Sequence, residues 1–297
     1  MCRRTRLFKR VIYILLAAML VLLLSVLSLV WYVGAWKVFF PSTSHDTQPP
    51  VLPLNLVSPS ILVFSKTNSY RHGDAIDSGR KVFKKMADAE GWSLTFSENG
   101  AIFNASDMQH FDAVVFLNVS GDIFNLEQQK VFQDWLEAGG GWLGIHAAGD
   151  GSHQGWGWYM DNLIGTQFIA HTFGPHLQAA TVEVDDAKHP VMQNLGLAWT
   201  HTEEWYSWQQ SPRDNGFHIL ATVDETSYSA KMNLLGLSQD LTMGDHPVVW
   251  SNCVGAGRTV YSAFGHNSDT FDNNEHLQLL ENSLHWLMGI RGGQCQP

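Results

Sequence analysis

The tightest constraint on the fold is the stretch Gly139-Gly140-Gly141-Trp142-Leu143-Gly144-Ile145-His146-Ala147-Ala148-Gly149-Asp150. It predicts a helix ending in three glycines, then a short apolar strand, then a small-residue turn that presents a histidine and an aspartate. Glycine at a helix C-terminus and a strand apolar along its whole length belong to a parallel sheet covered on both faces. In such sheets ligands lie beyond the carboxyl ends of the strands. His146 is therefore the first candidate site residue.

The preceding chain fits that frame. Residues 60–65 read as a first strand. Residues 75–90 read as a helix, with Ile76, Val82, Phe83, Met86 and Ala87 at helical spacing and Gly91 as its stop. Residues 94–97 and 111–117 are two more strands, and 126–138 a helix capped by Asn125 or Asp122. Strands alternating with helices across short loops predict a three-layer α/β domain with a parallel sheet. After Asp150 the pattern thins. A short helix is expected at 156–163, closed by Gly165, with strands at 177–184, 217–223, 247–252 and 258–264. A final helix is expected at 274–288.

Five basic residues (Arg3, Arg4, Arg6, Lys9 and Arg10) precede an uncharged run over 11–36. That run exceeds the roughly 20 residues a helix needs to cross a bilayer, and Trp31, Tyr32 and Trp36 cluster at its far end. The expectation is an uncleaved, single-pass anchor rather than a signal peptide, whose apolar core is shorter. The 1–10 flank would be cytoplasmic and the rest translocated. Residues 37–59, rich in proline, read as an extended, poorly ordered tether. Residues 60–290 form the domain and 291–297 a tail. Beyond the anchor 13 basic residues face 28 acidic ones. Such a field repels nucleic acid and suits neutral or cationic ligands. Cys253 and Cys295 are expected as two isolated thiols.

The segments Phe116-Leu117-Asn118-Val119-Ser120-Gly121-Asp122, 139–148, Trp156-x-Trp158-Tyr159 and Leu163-Ile164-Gly165-x-x-Phe168-x-x-His171 follow one another in order. After them come His189-Pro190, Glu203-Glu204-Trp205-Tyr206, Asp245-His246-Pro247-x-x-Trp250 and Gly257-Arg258-x-x-Tyr261-x-x-x-Gly265-His266. In this order the sequence resembles the ThuA-like (trehalose utilisation) family over about 61–288. The one departure is Phe264, where leucine is expected before Gly265-His266. The resemblance implies a flavodoxin-like, class I glutamine amidotransferase-like fold and a link to disaccharide and keto-sugar metabolism. Amidotransferases of that fold carry a nucleophilic cysteine at the elbow; here the residue is His146. Imidazole does not form the glutamyl thioester, so glutamine hydrolysis is not expected.

Neutral imidazole serves as a general base near pH 7 and as a metal ligand. His146 and His266 both follow expected strands, so they are the first candidates for a catalytic base. Glu203 and Glu204, in an aromatic-rich loop with His201, are candidates for its carboxylate partner. Adjacent residues on a strand point to opposite faces, so the two glutamates do not make a glycosidase pair. Asn118, Asp150 and His171 are further polar candidates on the same edge, and Trp156, Trp158, Trp205 and Tyr206 are candidate platforms for a sugar ring. His189 and His246, each before a proline, read as turn residues, and His72 has no evident partner. No cofactor is expected. A divalent metal stays open, because His146, His171, Glu204 and His266 would meet only through tertiary structure. The expected partner is a sugar or glycoside. The alternatives are a non-catalytic sugar-binding or scaffolding domain, or a metal-dependent hydrolase.

Overall fold

The structure, a computed structural model, describes residues 2–32, 34–292 and 295; the rest of the 291–297 tail lies outside them. In chain order the strands are β1 (Ser60–Phe64), β2 (Ser93–Ser97), β3 (Ala113–Leu117), β4 (Gly141–Ile145), β5 (Phe168–His171) and β6 (Gln178–Val184). They continue with β7 (Ala198–Glu203), β8 (Tyr206–Trp208), β9 (His218–Val223), β10 (Lys231–Leu234), β11 (Leu237–Asp240), β12 (Pro247–Val254) and β13 (Gly257–Ser262). The longer helices are α1 (Cys2–Tyr32), α2 (Gly73–Glu90), α3 (Leu126–Glu137) and α4 (Asn274–Leu287).

Runs that are apolar throughout become strands shielded on both faces, and every residue of β1, β3 and β4 is buried. The central sheet has nine strands in the order β2-β1-β3-β4-β13-β12-β9-β6-β7. The first five are parallel. The last four extend the sheet antiparallel, so the expectation of a parallel sheet holds for its first part alone. The cause is local. β12 and β13 are joined by the two residues Gly255-Ala256, which make a hairpin, whereas a parallel pair needs a crossover of about a dozen residues or more.

Helix ends follow the chemistry read from the sequence. Asn125, not Asp122, caps α3 and forms a reciprocal capping box with Gln128. Gly91 ends α2 in the left-handed region. One face of the sheet is packed by Phe103, Phe116, Phe124 and Phe132. On the other, Leu117 and Phe271 close against Gly79 in α2 so tightly that a Cβ there would lie 2.8 Å from Leu117.

Two N-terminal expectations change. The apolar helix ends at Tyr32, before Gly34 (φ +74°), rather than at Trp36. Its apolar part, Phe8–Tyr32, is 25 residues long with mean hydropathy 2.8, long and apolar enough to cross a membrane. The stretch read as a loose tether is extended, but part of it lies bound to the domain. Lys37 Nζ donates to the Thr67 carbonyl at 3.0 Å and Ser42 N to that of Asn68 at 2.7 Å. Asp46 accepts from Lys66 and from Gly100 N, and its own carbonyl accepts from Gln128. Polar side chains that look like solvated linker are thus hydrogen-bond partners for loop backbone. Cys253 and Cys295 are joined in a disulfide rather than isolated. Cys295 returns beside β12 with its Cα 5.8 Å from that of Cys253, within bonding reach.

Asp46→Ala is expected to speed amide exchange at Gly100 and to open residues 41–50 to limited proteolysis. The unfolding free energy should move by no more than about 1 kcal/mol. Exchange and cleavage rates equal to those of the parent chain would show that Asp46 does not hold this segment.

Candidate functional site

Strand register decides which side chains meet. Leu117 in β3 and Ser262 in β13 both pair with Ile145 in β4. The residues that follow (Asn118, His146 and Ala263) therefore leave the sheet side by side at its C-terminal edge, where ligands bind in open α/β sheets. Asn118 and His146 have positive φ, 52° and 49°. For residues with a Cβ this costs roughly 1–2 kcal/mol each and persists only where surroundings fix it. The fixing groups are present. Asn118 Nδ2 donates to the Gly265 carbonyl at 2.9 Å, and Tyr261 Oη donates to the His146 carbonyl at 2.7 Å. Asn118 is thus a clamp between two turns.

His146 is fully buried, and its Nδ1 lies 2.8 Å from the Ala263 carbonyl, to which it donates. That bond leaves Nε2 facing inward. Nε2 lies 3.3 Å from His266 Nδ1 and 3.3 Å from Glu204 Oε2, and His266 Nδ1 is 3.2 Å from the same oxygen. His72, from the loop before α2, closes the group. Its ring lies 4.9 Å from that of His146 and 5.0 Å from that of His266, and its Nδ1 has no hydrogen-bond partner. The other Glu204 oxygen, Oε1, is 3.0 Å from His171 Nδ1 and also bonds His176 Nε2.

Burial alone would raise the Glu204 carboxyl, but hydrogen bonds from His146, His176 and His266 outweigh it and hold Glu204 well below the usual range. Burial would lower His146; Glu204 and Glu203 overcome it and raise the imidazole above its ordinary value. His72 goes the other way, depressed by burial and by the neighbouring His146 and His266. His176 is raised, chiefly by its bond to Glu204. His146 and Glu204 are enclosed, while the side chains of His171 and His176 are 35% and 40% exposed.

Glu203 faces away from this group, as alternation along a strand requires. Its carboxylate accepts from Gly265 N at 2.8 Å, His266 N at 3.2 Å, Glu204 N at 2.9 Å and Thr270 Oγ1 at 3.1 Å. Burial pushes Glu203 up, but His201, the charge of His146 and the Gly265 amide prevail and hold it at about 2. It fixes the turn carrying His266. Neither Glu203 nor His201 lies in a loop: both point inward from β7, a strand the sequence did not disclose.

The indole candidates are packed elsewhere. Trp205 is buried against Tyr228 and Phe264. Trp156 and Trp158 extend the α3-side aromatic layer through Phe132, and Trp156 lines a separate hollow with His45 and Asp122. Asp150 is used within its own turn, accepting from Ser152 N at 2.8 Å. Only Tyr206 of the aromatic set borders the cluster, its ring 4.3 Å from that of His146. Tyr70 stands 4.8 Å from His72. His189 accepts from Val191 N as a turn residue. His246 is buried and holds the Tyr206 carbonyl. The sequence reading missed His176 entirely and left His72 without a role; the position of His72 after β1, on the ligand edge, was the one available signal. A roomier hollow, lined by Asp134, Trp135, Gly140 and Arg258, sits at the opposite, N-terminal edge of the strands, away from this chemistry.

Together these features define a mixed α/β protein with a large, mostly parallel central sheet and a histidine–glutamate cluster at its C-terminal edge. The chain belongs to the ThuA family: the family model, described as trehalose utilisation, matches residues 60–287. Among solved structures it is similar to a ThuA-like protein from Bacteroides uniformis. Identity is 26% and the TM-score 0.66, over 80% of this chain and 95% of that one. It is also similar to a ThuA-like protein from Parabacteroides merdae (18% identity, TM-score 0.59, 80% and 92% covered). A β-galactosidase from Rahnella sp. R3 shares the fold alone, at 14% identity and a TM-score of 0.50, over 80% of this chain and 32% of that one. No curated protein matches the chain.

Below the cluster, His276 packs on His201, Phe264 and Phe271 with both ring nitrogens unpartnered, and burial lowers it to about 3. The unfolded chain takes up this proton near pH 6.5 and the folded chain only near 3. Its contribution is therefore complete above 6.5 and is lost as pH falls. Between pH 6.5 and 5, above the range where Glu203 titrates, His276→Leu should lessen the acid destabilisation with a slope that steepens from about 0.7 toward about 1.4 kcal/mol per pH unit. Denaturant melts of both proteins across that range test it. Parallel stability curves would mean that His276 is protonated in the folded state.

Proposed function

We propose that this ThuA-family chain is a membrane-anchored protein of carbohydrate metabolism that acts on a disaccharide, glycoside or keto-sugar at the His/Glu cluster. The single observation that carries it is the convergence of Glu204 with five imidazoles at the ligand edge of the sheet, of which His171 and His176 are the most exposed. The family's description, trehalose utilisation, supplies the substrate class.

In this reading His146 is too enclosed to touch a sugar, and the accessible proton-transfer group is His176. Its Nε2 is bonded to Glu204, which orients the ring and stabilises the imidazolium. A ligand entering past His171 and His176 meets this pair first. The ring takes a proton from a hydroxyl, or from a carbon beside a keto group, and returns it later in the cycle. Phe168, partly exposed beside Tyr206 with ring centroids 4.6 Å apart, supplies apolar ring surface nearby; the buried Tyr206, Trp156 and Trp205 do not.

The test is incubation of the full chain in detergent with a panel of disaccharides and their 3-keto forms, products read by mass spectrometry. Turnover of at least one is expected, with kcat lowered about 10²–10⁴-fold in His176→Ala. Saturable binding without product would convert the protein into a sugar-binding module; neither binding nor product would remove the sugar assignment. For the anchor, the full chain should stay with membranes through an alkaline carbonate wash, whereas a variant with three arginines placed within 14–26 should not. Release of the parent chain by the wash would contradict an anchor.

A further inference from the structure

We propose that His72, His146, His266 and Glu204 form a binding site for one imidazole-preferring divalent transition ion such as Zn²⁺, a proposal that rests on this cluster being the functional site described above. One ligand atom from each lies within 4.8 Å of the others. Donors at about 2.0–2.1 Å from a tetrahedral ion lie about 3.3–3.4 Å from one another. Three of the donors already stand at that spacing: His146 Nε2 and His266 Nδ1 are 3.3 Å apart, and Glu204 Oε2 is 3.3 and 3.2 Å from them. These three atoms form one face of the tetrahedron, and His72 supplies the remaining corner.

Two further observations point to a cation. His146 Nδ1 donates to the Ala263 carbonyl, which fixes the tautomer and leaves Nε2 as a lone-pair donor, the outer-shell arrangement usual for metal-bound histidine. His72 is 8% exposed, yet its Nδ1 has no partner. A buried polar atom left unpaired is destabilising unless something satisfies it. Two imidazole nitrogens facing each other at 3.3 Å share at most one proton between them, whereas an ion uses both lone pairs. A set of three imidazoles and one carboxylate suits zinc-like ions and not Mg²⁺ or Ca²⁺, which take oxygen ligands. His171 and His176 hold the opposite carboxylate oxygen and orient Glu204 from the solvent side.

The full chain in detergent, stripped with chelator and dialysed, is titrated with ZnCl₂ by calorimetry and with CoCl₂ by visible absorption. The expected result is about one equivalent bound, with d–d bands of tetrahedral Co²⁺. His72→Ala and His266→Ala should each weaken Zn²⁺ binding at least 100-fold, while His218→Ala, paired with Asp186 away from the cluster, should leave it unchanged. Circular dichroism checks folding. If a variant does not fold, the parent chain decides alone. Absence of stoichiometric Zn²⁺ uptake by the parent chain, or uptake equal in folded His72→Ala and His266→Ala, overturns the site. Uptake of Zn²⁺ by a chain that neither binds nor converts sugars leaves the metal site standing and removes only the sugar assignment. Sugar turnover by a chain that takes up no Zn²⁺ does the reverse.

Discussion

The structure depends most on one buried carboxylate. Glu204 is almost wholly withdrawn from water and, among the described residues, has imidazoles and not lysine or arginine within bonding distance. An isolated carboxylate in such a place is too costly to keep charged. Ion pairs with histidine offset that cost only if at least one ring carries a proton, or if another positive charge enters. The direction of the shifts agrees: Glu204 is held down while His146 and His176 are held up. Removing Glu204 would leave several imidazoles facing each other with no directly bonded carboxylate and only the charge of Glu203 nearby, so Glu204 dominates the electrostatics of this edge.

The backbone is arranged to serve that carboxylate. β3, β4 and β13 are in register, so their ends release Asn118, His146 and Ala263 at one level. The chain then turns sharply, with positive φ at Asn118, His146 and Gly265. At Gly265 (φ +126°) a Cβ would lie 2.6 Å from Ile145 Cγ2, so only glycine turns His266 back toward His146. Glu203 secures the same turn by accepting both amides. Adjacent glutamates thus divide the labour: one holds the turn and the other faces the histidines that the turn delivers.

How much of this was legible in the sequence follows from the same physics. β1, β3 and β4 were plain because strands buried on both faces are apolar at every position. The elbow was plain because glycines and small residues bracket a lone histidine. β7 was not, although it alternates strictly. Its inward positions are Trp199, His201 and Glu203, and two polar residues on a buried face disguise the period. The tryptophans misled for the opposite reason: indoles in a polar, loop-like stretch resemble a binding platform, yet most fill the core. His176 carried no local signal at all, since its role comes from a tertiary contact with a residue 28 positions away.

The short connection between α1 and the domain bears on where the cluster sits. Lys37 and Ser42 bond the carbonyls of Thr67 and Asn68, in the loop that continues to Tyr70 and His72. Asp46 then bridges Lys66 and Gly100, and Gln128 holds the Asp46 carbonyl. Each of these partners lies at or beyond the C-terminal end of a strand. The apolar helix is thus leashed to the ligand edge and not to the far edge, where the roomier hollow lies. A long, free tether would let the domain turn independently of the helix. Bonds beginning at Lys37, within a few residues of the helix end, remove much of that freedom. If α1 lies in a bilayer, the exposed rings of His171 and His176 are confined to the neighbourhood of the membrane surface. The strongly acidic domain is repelled by anionic headgroups, so the leash would have to hold this edge there against its own charge.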